Sequence, residues 1–278
     1  MVACLNGVQE AGSSNLLTRT NFYKANLFRL AFAIDGDIDM RMRKRPNLDR
    51  RMEKCNDLIE NNPEMLKGKW LEEFKEYEEL ELELGCGKGR FTIETAKLGR
   101  RILLVAVEKV ESAMIIALER AKNAELDNVR FVSGDVKELT NLFENEEVSK
   151  IYINFCDPWP KSRDAKFRLT APSFLRKYSD ILRAGGEVKF KTDNRPLFDW
   201  SLEQFRSEGW DLPEITYDLH ENGPKGIMTD YEQKFYAEGQ KINALTAVKT
   251  PATKRSSDGE VPRLRNAALS DAKGLQQD

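Results

Sequence analysis

Glu79-Leu80-Glu81-Leu82-Glu83-Leu84-Gly85-Cys86-Gly87-Lys88-Gly89-Arg90 carries an alternating Glu/Leu segment straight into three glycines set at every second residue. Residues 79–84 read as a buried strand. The glycines permit a tight turn and a close approach of backbone to a ligand, and the helix that follows aims its first amides at the same place. A strand, a glycine loop and a helix in that order open a βα unit.

The rest of the chain continues the alternation. Residues 91–98 read as the helix, and 102–108 (ILLVAVE) as a second strand. A helical stretch follows at 112–124, then strands at 129–135 and 151–155, a helix at 173–182 and a fifth strand at 187–192. The amphipathic segment 197–209 reads as a helix ended by Gly209. Residues 215–237 show no clear βα unit and are expected to add antiparallel strands. The expected fold is α/β, with a doubly wound, mostly parallel Rossmann-like sheet, helices on both faces and an antiparallel C-terminal edge.

Composition narrows the class. The chain has 278 residues, 44 Lys+Arg against 46 Asp+Glu, and 40% hydrophobic residues. It can bury a sizeable core, and its net charge of −2 excludes a globally basic coat but not a local basic patch. No apolar run approaches the roughly 20 residues of a membrane span. The four cysteines form no C-x-x-C pair, which argues against a zinc ribbon and for a reducing compartment. A single histidine, His220, argues against His-based triads and multi-His metal sites. No metal is expected. Residues 1–39 read as an extension or an upstream start, with a faint transit-peptide flavour, 40–249 as the globular domain, and 250–278 as a disordered tail.

Several acids fall at the ends of expected strands. Gly85, Gly87 and Gly89 follow a G-x-G-x-G spacing, and Arg90 stands where a dinucleotide fingerprint needs its third glycine. That disfavours NAD and favours S-adenosylmethionine (SAM). Glu108, 23 residues beyond Gly85, ends the second strand, where an acid can hold ribose hydroxyls. Asp135 ends the third strand and can reach an adenine amino group, or simply cap a helix beginning at Val136. Glu83, just before the loop, can meet the cofactor's ammonium.

Asn154-Phe155-Cys156-Asp157-Pro158-Trp159-Pro160-Lys161 follows the fourth strand. Two prolines stiffen the loop. A carboxylate beside a flat ring suits a planar base; a stiff turn with Trp159 packed inward is the plainer reading. Lys161, Arg163, Lys166 and Arg168 follow within eight residues, and a second basic run includes Arg41, Arg43 and Lys44. Basic runs are often solvated faces, but two in an otherwise acidic chain point toward phosphate contacts.

The segments LELGCGKGRF, VAVEK, SGDV, INFCDPWPKSRDAKFRLT, FKTDN and MTDYEQKF together resemble the bacterial tRNA (guanine-N7)-methyltransferases, in order from about Met40 to Ala247. The resemblance implies a class I SAM-dependent methyltransferase fold. It also implies methylation of N7 of a guanine in the tRNA variable loop (position 46), giving 7-methylguanosine in the cytoplasm. Carried over, Glu83, Glu108, Asp135 and Asp157 would contact SAM, with Asp157 the preferred catalytic carboxylate. Lys161, Asp193, Thr229, Asp230, Tyr231 and Glu232 would contact substrate, and Arg163, Lys166 and Arg168 would touch RNA. The chain departs from the family at Asp164 and Phe167, which replace polar or basic residues. The plainer reading of Asp193 is an Asx turn with the residues after it; Tyr231 and Glu232 are equally suited to packing. Two alternatives remain: a SAM methyltransferase of another RNA base, and a non-catalytic tRNA-binding relative. The oligomeric state, monomer or homodimer, is left open.

Overall fold

The computed structural model describes residues 46–99 and 101–259. Arg41, Arg43 and Lys44, the segment 1–39 and the end of the expected tail lie outside the described residues.

Seven strands form one sheet in the order β3-β2-β1-β4-β5-β7-β6: β1 Glu79–Leu84, β2 Ile102–Glu108, β3 Val129–Ser133, β4 Val148–Asn154, β5 Leu182–Thr192, β6 Asp211–Thr216 and β7 Asn243–Val248. The first five pair in parallel; β7 runs antiparallel between β5 and β6. The chain order reverses between β1 and β4, so a crevice opens at their C-terminal ends.

The helices are α1 Leu48–Glu53, α2 Trp70–Glu73, α3 Arg90–Leu98, α4 Glu111–Asn123, α5 Leu139–Leu142, α6 Pro172–Ile181, α7 Arg195–Ser207 and α8 Asp230–Ala237. β2 shows why two layers are needed. Its residues are apolar on both sides: Leu103, Val105 and Val107 join the core that holds Phe174, Leu175 and Tyr178 of α6 and Phe198 and Leu202 of α7. Leu104 and Ala106 join the other core, with Ile93 of α3 and Met114, Ile115 and Leu118 of α4. Helices therefore cover both faces. Trp70 is fully buried, stacks on Phe143 at 5.5 Å and donates its indole N–H to the Leu142 carbonyl at 3.1 Å, tying residues 46–78 into the domain.

Most expected elements agree to within a few residues. Two differ more. The stretch 215–237 was expected to add strands, but it contains helix α8, and the antiparallel strands lie on either side of it. The reason is a capping box: Thr229 accepts from the Glu232 amide at 3.0 Å while Glu232 reaches back to the Thr229 amide at 3.3 Å. Residues 250–259, read as the start of the tail, include a 3-10 turn at Ser256–Gly259, and Thr253 is buried with its hydroxyl on the Gly209 carbonyl at 3.1 Å.

Candidate active site

A cavity of about 500 Å³ opens at the C-terminal ends of β1, β2, β3 and β4. Its walls include Gly85, Glu108, Asp135, Asn154, Phe155, Asp157, Trp159 and Phe167.

The glycine loop is held from several sides. Glu108 accepts from the Gly87 amide at 2.8 Å through one carboxylate oxygen and from the Val110 amide at 2.8 Å through the other. Gly89 sits in the left-handed region at φ 75° and caps α3. A Cβ there would lie 2.3 Å from the Ala117 Cβ, so glycine is required for α3 and α4 to approach.

Asp135 accepts from the Lys137 amide at 3.0 Å, so the capping reading is realised, and its other oxygen meets Lys109 Nζ at 3.2 Å. Burial raises its pKa, but the Lys137 amide and Lys109 outweigh that, and the carboxyl lies below its ordinary value. It lines the cavity as an anion. Glu83 does not line the cavity. It is buried, accepting from the Thr92 hydroxyl at 2.5 Å and from Nδ2 of the cavity-lining Asn154 at 3.2 Å. Burial pushes its carboxyl up to about 7, against the pull of those two hydrogen bonds.

The loop after β4 is strained as well as stiff. Phe155 and Trp159 hold φ of 55° and 42°, a region L-residues with large side chains rarely adopt. Arg168 holds this shape: its guanidinium donates to the Pro158 carbonyl at 3.0 Å and to the Trp159 carbonyl at 2.9 Å, and lies 4.4 Å above the Trp200 ring. Arg168 was expected to touch RNA; the structure commits its guanidinium to this loop. Arg163 and Lys166 lie on the neighbouring 3-10 turn Ser162–Phe167, and Arg163 is well exposed. Phe167, a departure from the family pattern, is a cavity wall whose ring tilts against Trp159 at 5.3 Å. Trp159 is therefore not packed into the core; it is 39% exposed at the cavity.

Lys161, Asp193 and residues 229–232 do not line the cavity itself. Asp193 follows β5, the strand beside β4, and meets Gln240 Nε2 at 3.4 Å. In the turn where an Asx role was weighed for Asp193, it is the Asn194 side chain that caps the next helix, accepting from the Leu197 amide at 2.8 Å. Asp230 is bridged to Arg120 at 2.6 Å, and Arg120 also donates to the Lys88 carbonyl of the glycine loop at 2.9 Å. Tyr231 is half exposed, its ring 6.1 Å from Phe155 and 4.5 Å from Phe235. Glu232 was expected to reach substrate. Instead it is fully buried, with Lys191 Nζ at 2.7 Å and His220 Nε2 at 3.0 Å.

Sequence reasoning missed Thr92, Asn154, Lys191, Arg120 and Asn194. For Asn194 a signal was available, since it precedes Arg195-Pro196 as a helix cap does; T-x-x-E at 229–232 likewise marks the start of α8 as a capping box. The others meet their partners only across the fold.

The sheet order, the glycine loop after β1 and the acids at the ends of β2 and β3 define a Rossmann-like class I methyltransferase fold. Solved structures agree on the fold: a 16S rRNA methyltransferase, KamB, superposes with TM-score 0.53 at 17% identity, covering 66% of this chain and 94% of that one. An antibiotic-related methyltransferase superposes with TM-score 0.51 at 15% identity, covering 66% and 93%. A family described as putative methyltransferase matches residues 78–245. The tRNA (guanine-N(7)-)-methyltransferase of Clostridium tetani is 44% identical over 213 residues, covering 75% of this chain and 99% of that protein. Those of Listeria innocua and Bacillus subtilis are 42% and 41% identical, covering 98% and 96% of their own lengths. The chain belongs to the tRNA (guanine-N7)-methyltransferase family.

The residues present fit SAM. The volume lies within the roughly 300–1,000 Å³ typical of cofactor sites. Glu108 and Asp135 offer acceptors at successive strand ends, and Leu84, Val107 and Val136 offer apolar surface for a flat base.

Proposed function

We propose that this protein transfers a methyl group from SAM to N7 of guanine 46 in the variable loop of tRNA, in the cytoplasm. One observation carries the reading: Gly85, Glu108, Asp135 and Asp157, from four successive strand ends, line a single cavity in a chain 44% identical to a tRNA (guanine-N(7)-)-methyltransferase.

SAM, when bound, supplies an electrophilic methyl group on a sulfonium. Glu108 would accept from the ribose hydroxyls while holding the Gly87 amide, and Asp135 would accept from the adenine amino group. Glu83 holds the cavity-lining Asn154 through Nδ2 and would meet the cofactor's ammonium beside the glycine loop. Guanine N7 carries an in-plane lone pair and no proton, so the protein needs no strong base. Its task is alignment of the nucleophile with the methyl carbon and the departing sulfur. Methylation leaves the purine cationic, and Asp157 stabilises that charge from the cavity wall. Asp157 and Asp193 also accept from the guanine N1–H and amino edge, which selects guanine over adenine. Trp159 and Phe167 provide flat apolar surface beside the base. Thr229, Asp230 and Tyr231 border the substrate, while Lys161, Arg163, Lys166 and the run at Arg41, Arg43 and Lys44 meet phosphates. The base leaves its tRNA contacts to enter, as in other base-modifying enzymes.

The test is a transfer assay with labelled SAM and unmodified tRNA, followed by nucleoside analysis. The reading expects 7-methylguanosine at position 46. Methyl on an exocyclic nitrogen, or SAM binding without transfer, overturns it. Asp157→Ala should lower the transfer rate at least a hundredfold, and 0.4 M salt should weaken tRNA binding strongly.

A further inference from the structure

Lys191 is the next-to-last residue of β5 and touches four segments of the site region. Its carbonyl accepts from the Phe155 amide at 2.9 Å, holding the start of the loop after β4. Its ammonium donates to the Ile227 carbonyl at 2.9 Å and to Glu232 Oε2 at 2.7 Å. It also lies 5.1 Å from the centre of the Phe91 ring on α3. Asp193 stands two residues further along the same strand end.

Glu232 closes the other half of this arrangement. Its second oxygen meets His220 Nε2 at 3.0 Å, and both side chains are buried. His220 Nδ1 accepts from the Lys225 amide at 3.1 Å. A ring nitrogen that accepts carries no proton, so the proton sits on Nε2 and points at Glu232. Residues 220–232 are thereby folded back on themselves and tied at Ile227 and Glu232 to β5.

A buried ionic cluster is a weak source of stability, because desolvation offsets most of the attraction; apolar packing of the same volume would hold the helix as well. What ionic and hydrogen-bonded partners add is a single allowed register, since each buried donor needs its one acceptor. The segment registered here carries Thr229, Asp230 and Tyr231, and the Tyr231 ring lies against Phe155, a cavity wall.

We infer that Lys191, Glu232 and His220 form a latch that positions the substrate-bordering segment 220–231 against the loop after β4. Glu232 acts through this segment and not by touching guanine; Lys191 and His220 are positioning residues. This rests on the proposed function for the meaning of "substrate", while the latch itself is a structural statement that can be tested without activity.

The test uses the full chain with Lys191→Met, Lys191→Arg, Glu232→Gln and, as a control, Lys249→Met. Lys249 is also a buried cation beside β5, but at the opposite end, donating to the Leu182 carbonyl at 2.6 Å. Hydrogen exchange of the tRNA-free protein should show lost protection confined to residues 220–232 in Lys191→Met and Glu232→Gln, and not in Lys249→Met. SAM affinity should stay within about twofold. KM for tRNA should rise roughly tenfold with a smaller fall in kcat, and Lys191→Arg should recover most of it. The latch is overturned if exchange in 220–232 matches wild type, or if Lys191→Met and Lys249→Met are indistinguishable in tRNA kinetics at equal loss of stability. If wild type itself transfers no methyl to tRNA, the functional reading fails, and the exchange result alone decides the latch.

Discussion

Glu108, the last residue of β2, accepts a hydrogen bond from the Gly87 amide at 2.8 Å, so the acid that faces the cavity also shapes the glycine loop. Its second oxygen is engaged by the Val110 amide. Glu108→Gln turns one acceptor into a donor that faces a backbone N–H. A hydrogen bond to a charged acceptor contributes about 1.5–3 kcal/mol, less where water can replace it. SAM affinity should fall at least about tenfold, read by calorimetry. Unchanged affinity would remove Glu108 from the cofactor site.

Among the loop glycines, Gly89 should be the least replaceable. Alanine at Gly89 meets Ala117 at 2.3 Å and must adopt φ 75°, whereas alanine at Gly87 meets nothing within 4 Å. The left-handed conformation alone costs roughly 1–2 kcal/mol, and overpacking adds about 1–3. Gly89→Ala should therefore lower stability by about 3 kcal/mol, and Gly87→Ala by about 1. Thermal melts giving the reverse order would contradict the α3–α4 contact.

Glu83 makes stability depend on pH. Burial pushes its carboxyl up to about 7, from an ordinary 4.5. Between those values the folded protein holds a proton that the unfolded chain has released, so stability falls as pH rises through the window and levels off above it. Glu83→Gln is neutral throughout and should lose this component, worth about 3 kcal/mol at most by the usual conversion. Denaturant unfolding of both proteins at pH 5 and pH 8 measures it. Parallel pH dependences would mean that Glu83 is charged when folded.

Arg163 and Arg168 lie five residues apart and should behave differently. Arg168→Ala removes the donors to the Pro158 and Trp159 carbonyls and the stacking on Trp200. It should lower kcat about tenfold or more and depress Tm by several degrees. Arg163→Ala should leave kcat and Tm alone, raise KM for tRNA, and reduce the salt slope of binding by about 0.7–0.9. If Arg168→Ala changes only the salt slope, its assignment to the loop is wrong.

Much of the architecture was legible in residues 79–135. ELELEL, ILLVAVE and VRFVS carry their strand character in consecutive side chains, and the glycine spacing marks the turn wherever it occurs. Glu108 and Asp135 could be found because strand ends in such a sheet converge on one crevice. Glu83 was legible as an acid just before the loop; that it is buried and held by Thr92 and Asn154 was not, because both partners come from other elements.

The chain's order of residues was enough for the fold class, the glycine loop and the family, because periodicity, backbone freedom and motif spacing are local properties of neighbouring residues. The roles of Arg168, Asp230, Glu232, Lys191 and His220 were not available in that way. Lys191 and Glu232 meet across 41 residues and Arg120 and Asp230 across 110, and the nearer pairs, Arg168 with the Trp159 carbonyl and His220 with Glu232, still depend on how the intervening chain folds back. A buried charge takes whichever partner packing delivers, so its function exists only once the sheet has brought those strand ends together.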